Sequence, residues 1–187
     1  MINDKPTSIF LIGMMASGKS TIGKRLAQRL GWPFFDADRE IEERCGVPIS
    51  YIFEKEGEAG FRARETQMLA ELTARDGVVV ATGGGAPMFE INRRLLSRGL
   101  VVQLASSVSD IIERTRHDSA RPLLAGEDRA ARIREIMLER GPVYDEVCSE
   151  KVLTSRKPID AVVNKILLLE SVRETIARAQ LANGENK

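Results

Sequence analysis

Short β-branched runs alternate along this chain with stretches whose apolar residues recur every three or four positions. That alternation predicts an α/β fold: a parallel sheet covered by helices on both faces. Ser8 to Ile12 reads as a first strand. Lys19 to Leu30 follows as a helix, with Ile22, Leu26 and Leu30 on one face and Gly31 as its stop. Pro33 to Phe35 reads as a short second strand ending at Asp36, and Glu58 to Arg75 as a helix that carries Phe61, Met68, Leu69 and Leu72 on one side. Val78 to Ala81 is a buried strand running into three glycines, and Val101 to Leu104 is another. Ser107, with Asp110 three residues on, has the pattern of a capping box opening a helix to about Arg116. Val152 and Leu153 belong to a last short strand. Further helices are expected over Asp128 to Glu139, with Gly141-Pro142 ending the helix there, and from Ile159 to about Ala182.

One segment breaks the rhythm. HDSARPLLAGED, His117 to Asp128, is polar, holds Pro122 and Gly126, and lies between two helices. A loop of that length in a compact domain is usually functional, so it is a lid candidate. The terminal NGENK should fray. With no repeat and no low-complexity linker, the 187 residues read as one domain, with a lid over about 115–128 and a tail over about 183–187.

Composition narrows the function classes. Hydrophobic residues at 43% suffice for a core, and a net charge of +1 gives no bulk attraction to nucleic acid or anionic membrane. Apolar runs are strand-length and the start MINDKPTS is polar, so neither a membrane span nor a secretory signal is expected. A cytoplasmic protein is the expectation, and a monomer is expected as well. Cys45 and Cys148 lack metal-ligand spacing and read as free thiols.

Gly13, Gly18, Lys19 and Ser20 complete G-x-x-x-x-G-K-[ST] between a strand and a helix, the context that a phosphate-binding loop requires. Its glycines let backbone N–H groups turn around a β-phosphate, Lys19 reaches the β/γ oxygens, and the Ser20 hydroxyl suits Mg²⁺. Ligands of an open α/β sheet collect beyond the carboxyl ends of the strands. There the second strand delivers Asp36 and Asp38, and the third delivers Thr82 to Gly85. Asp38 either caps the helix REIEERC or orients an attacking hydroxyl. The glycines form a loose turn or permit close approach of a ligand. Arg62, beside Phe61, and Arg140, before Gly141-Pro142, are solvated or border the crevice. His117 reads as a solvated loop residue.

The motifs GMMASGKST, DADREIE, FRARE, TGGG and RPLL, followed by RGPVY, together resemble the shikimate kinase family from Ile9 to about Leu168. The resemblance implies a three-layer phosphate-loop kinase fold, related to the nucleoside monophosphate kinases, with a mainly five-stranded parallel sheet and a mobile lid. It implies ATP-dependent phosphorylation of the shikimate 3-hydroxyl, with Mg²⁺, in aromatic amino-acid biosynthesis. Under it Ala16, Ser17, Gly18, Lys19, Ser20 and Thr21 hold the ATP phosphates, Ser20 ligates Mg²⁺, and Asp36 contacts the metal through water. Asp38 bonds the substrate hydroxyls as base or orienter, and Arg62 and Arg140 grip the carboxylate with Gly83, Gly84 and Gly85 alongside. Arg121 in the lid reaches the transferring phosphoryl. Arg114 and Lys157 lie toward adenine. A gluconate kinase shares these requirements and stays as the alternative, as does a nucleotide-dependent regulatory module. A guanine-specific module would want N-K-x-D, which Asn164-Lys165-Ile166-Leu167 lacks.

Overall fold

The computed structural model describes residues 6–116 and 128–184. Most of the expected lid, including His117 and Arg121, lies outside the described residues, as does 185–187 of the tail. Five strands, β1 (Ile9–Ile12), β2 (Phe34–Asp36), β3 (Val79–Ala81), β4 (Leu100–Ala105) and β5 (Glu150–Leu153), form one sheet in the order β2-β3-β1-β4-β5. Every pairing is parallel, with Phe10 opposite Val80 on one side and Val101 on the other. Strand alternation sorts β1 between two cores. Phe10 and Ile12 pack with Phe61, Leu69, Ile111 and Ile136 on one face, while Ile9 and Leu11 pack with Leu26, Val162 and Val172 on the other. The three-layer α/β expectation holds.

On the first face lie α2 (Ala37–Cys45), α3 (Ile49–Leu72), α4 (Glu90–Leu96), α5 (Val108–Thr115) and α6 (Arg129–Val147). The other face carries α1 (Lys19–Leu30), α7 (Ile159–Leu168) and α8 (Glu170–Gly184). Gly31 ends α1 in the left-handed region, φ 68°, as its position suggested. Ser107 caps α5 by accepting from the Asp110 N–H.

Three expectations need correction. Gly141-Pro142 does not end a helix: α6 runs through both to Val147. Proline removes only the bond to the Leu138 carbonyl, and Leu138 is so exposed that water can take that place. The helix expected from Glu58 is preceded by a further helical stretch from Ile49, joined to it across a non-helical Gly57 at φ 69°. The single helix from Ile159 is two, because Leu169 takes an extended conformation between α7 and α8. α8 ends at Gly184, and Val172, Thr175 and Ala179 are buried along it. α4 and a 3-10 turn at Ala86–Met88 fill the segment between β3 and β4.

Candidate active site

The carboxyl ends of β1, β2 and β3 open onto a cleft of about 480 Å³. Its wall includes Ala16 to Thr21, Asp36, Asp38, Gly84, Arg114 and Lys157. The loop leaves β1 through Gly13, at φ +138°, where a Cβ would stand 2.5 Å from the Leu104 carbonyl oxygen; only glycine fits. Ala16 holds φ +56° without glycine's freedom, a strained conformation for an L-residue. The Lys19 ammonium donates to the Gly13 and Met14 carbonyls at 2.8 Å each, folding back along the loop. Arg114 ties the loop to the sheet's far edge, donating to the Ala16 carbonyl at 3.0 Å and the Thr154 carbonyl at 3.4 Å.

β2 ends where α2 begins. Asp36 occupies the N-cap position of α2 but makes no capping bond; it accepts from the Ser20 hydroxyl at 2.5 Å instead. Asp38 therefore does not cap the helix. It is the second residue inside α2, and its Oδ1 is buried without a hydrogen-bond partner. Burial first, then the charges of Glu65 and Asp36, push its carboxyl up to about 6, against the pull of Lys19 and Arg62.

The glycine triplet forms the opposite wall. A Cβ at Gly83 would lie 2.5 Å from Glu65 Oε1 and 2.9 Å from Asp38 Oδ1; one at Gly85 would lie 2.6 Å from Arg62 Nη2; and one at Gly84 would lie 3.5 Å from Arg140 Nη1. Three bare backbone residues are thus ringed by two carboxylates and two guanidinium groups. Sequence reasoning named Asp38, Arg62 and Arg140, and the fold brings all three to the triplet. Arg140 is only 7% exposed, and its Nε has no partner.

Glu65 and Tyr144 were missed. Glu65 is fully buried, with Oε2 accepting from Arg62 Nη1 at 2.8 Å and Oε1 unpartnered. Burial pushes its carboxyl above the usual range, opposed by Arg62 and Arg140. Its signal was the i,i+3 acid–base spacing within FRARE. Tyr144 donates its hydroxyl to the Gly84 carbonyl at 2.5 Å. It shares a face of α6 with Arg140 because the helix continues through Pro142, which the sequence argued against.

A phosphate loop at a sheet's switch point, beside a cluster of two carboxylates and two guanidinium groups, is the arrangement of a small-molecule kinase of the phosphate-loop class. The family model described as "Shikimate kinase" matches residues 15–170. A shikimate kinase of Ralstonia nicotianae is 50% identical over 163 residues, covering 87% of this chain and 86% of the relative. One from Halorhodospira halophila is 52% identical over 163 residues, covering 87% of this chain and 92% of its own length. The structure of "Shikimate kinase from Acinetobacter baumannii in complex with shikimate" superposes with a TM-score of 0.84 at 44% identity, over 88% of this chain and 92% of that one. This chain belongs to the shikimate kinase family. It is a phosphotransferase that uses ATP as co-substrate, and the gluconate alternative is not favoured. No helix among the described residues is long and apolar enough to cross a membrane.

Proposed function

We propose that this cleft transfers the γ-phosphoryl of ATP to the 3-hydroxyl of shikimate, giving shikimate 3-phosphate and ADP for aromatic amino-acid biosynthesis, with the residues dividing the work as follows. Residues Ala16 to Thr21 cradle the phosphates with backbone N–H groups, and Lys19 exchanges its loop carbonyls for phosphate oxygens. Arg62 and Arg140 clamp the acceptor's carboxylate, for which planar, permanently charged forks are suited. Asp38 accepts the hydrogen bond of the attacking hydroxyl and takes its proton as the new P–O bond forms. The raised affinity of Asp38 for protons favours that role. Glu65 fixes the Arg62 fork, and Tyr144 fixes the Gly84 carbonyl. Arg121, in the expected lid over about 115–128, contacts the equatorial oxygens, where charge spreads in a loose transition state. Arg114 and Lys157 border the adenine.

Ser20 and Asp36 offer two hard oxygen donors already in contact at the cleft, a set that fits Mg²⁺ better than softer metals. Ser20 would ligate it directly and Asp36 through water. Bound there, such an ion would supply positive charge against the β- and γ-phosphates. The chain is proposed to work as one domain and as a monomer.

The observation that supports this reading most is the meeting of Asp38, Arg62 and Arg140 around Gly83–Gly85, next to the phosphate loop. The test is ADP release by the purified protein with ATP and Mg²⁺, using shikimate, gluconate or water as acceptor. Shikimate alone should give rapid turnover. Equal turnover with gluconate, or none above the water rate, would overturn it.

A further inference from the structure

We propose that Phe89 is a positioning residue for the acceptor's carboxylate, acting through the Arg62 guanidinium that its ring overlies. The inference rests on the reading of Arg62 as a carboxylate clamp. Arg62 Cζ lies 5.2 Å from the ring centroid of Phe89 and 5.2 Å from that of Phe61. Phe61 is fixed by the core, with its ring 4.8 Å from that of Phe53. Phe89 is different. It is 39% exposed and belongs to neither apolar core. A large ring held partly in water, outside the core, lies against the guanidinium.

The backbone beneath Phe89 is held firmly. The residue follows the 3-10 turn at Ala86–Met88 and sits at the N-cap of α4, accepting from the Arg93 N–H at 3.1 Å. Arg93 Nη1 donates to the Pro87 and Met88 carbonyls at 3.0 Å each. Asn92 donates to the Ala86 carbonyl at 3.0 Å and accepts from the Thr66 hydroxyl of α3 at 2.8 Å. Phe89 thus continues the rigid wall that begins at Gly83, and that wall is fastened to the helix bearing Arg62.

The hydrogen-bond inventory shows why the guanidinium plane matters. Of the five N–H donors of Arg62, Glu58 accepts from Nε at 3.2 Å and Nη2 at 3.0 Å, and Glu65 accepts from Nη1 at 2.8 Å. One N–H on each terminal nitrogen is left to meet the acceptor's carboxylate. Two carboxylates fix the edges of the fork, and the rings fix its plane. They also keep water off a group whose side chain is only 12% exposed. Without Phe89 the fork gains freedom that ligand binding must then remove.

The experiment measures shikimate affinity by calorimetry and steady-state kinetics for Phe89→Ala, Phe89→Leu and Phe89→Trp, with Arg62→Lys as control. Phe89→Ala should raise both Kd and KM for shikimate roughly fivefold, the size of an exposed cation–π contact. Turnover at saturation and KM for ATP should stay within about twofold of the parent. Phe89→Leu, which restores bulk but no ring, should resemble Phe89→Ala, and Phe89→Trp should restore parent affinity. An unchanged Kd in Phe89→Ala, parent-like affinity in Phe89→Leu, or a parallel fall in turnover and ATP affinity would each overturn the inference. If Arg62→Lys weakens shikimate strongly while Phe89→Ala does not, only the role of Phe89 fails. If Arg62→Lys binds shikimate as the parent does, the reading of the clamp itself fails.

Discussion

Arg62→Ala should destabilise the protein as well as weaken its substrate binding, and the structure separates the causes. Glu65 is fully buried and Arg62 partly so, 2.8 Å apart, whereas the second partner Glu58 is 62% exposed. Stripping one member from a buried pair usually costs about 3–5 kcal/mol, because the remaining charge has lost water and partner together. Arg140 still acts on Glu65, so the lower end, about 3 kcal/mol, applies here. Glu58→Ala removes a contact that solvent already screens and should cost less than about 1 kcal/mol. Glu65→Gln in the Arg62→Ala background removes the stranded charge and should recover most of the loss. Acid should do the same. Burial raises the Glu65 carboxyl already in the parent and more so without Arg62, so its penalty is largest at high pH. The penalty fades as pH falls toward about 4.3, where the unfolded glutamate also takes its proton. Urea unfolding followed by circular dichroism and by the single tryptophan, Trp32, reads these differences between pH 5 and pH 8. The reasoning is refuted if the double variant is no more stable than Arg62→Ala, or if Glu58→Ala costs as much.

Three further outcomes are expected. Gly85→Ala drives a Cβ to within 2.6–3.0 Å of the Arg62 guanidinium and should raise KM for shikimate at least tenfold while ATP binding holds, measured by separate titrations of the two substrates. Asp38→Asn should lower turnover roughly 10²–10⁴-fold, the usual worth of a positioned general base, in single-turnover assays; a loss below tenfold would reduce Asp38 to a contact. Arg121→Ala should keep shikimate affinity within several-fold but lower turnover ~10³-fold, and unchanged turnover would remove Arg121 from catalysis.

What a lone sequence exposes depends on how local the signal is. The phosphate loop and its flanking strand and helix were legible because four residues at fixed spacing, between an apolar run and an amphipathic one, carry them. Gly31 and Ser107 were legible for the same reason. Asp36 and Asp38 could be found but not assigned: only the fold shows that Asp36 takes the N-cap position and the Ser20 hydroxyl, leaving Asp38 facing Gly83. Glu65 was hidden because burial of an acid cannot be read from its neighbours, and an i,i+3 Arg–Glu pair is ordinary on exposed helices. Tyr144 was hidden by a sound rule that lost locally. Proline normally ends a helix, but α6 continues through Pro142, four residues after the exposed Leu138, and brings Tyr144 under Gly84. α4 is too short to show a period. The strand order, in which β1 lies between β3 and β4, comes from long-range pairing that one sequence does not encode in any single window.

Two positive forks gripping one small acid is the proposition on which everything else leans. Calorimetric titration of the protein with shikimate and with its carboxamide, which keeps every hydroxyl but loses the negative charge, tests it directly. Two charge-assisted contacts predict that the carboxamide binds at least about 100-fold more weakly, and that Arg140→Met narrows the gap between the two compounds. Equal affinity for acid and amide would contradict the account.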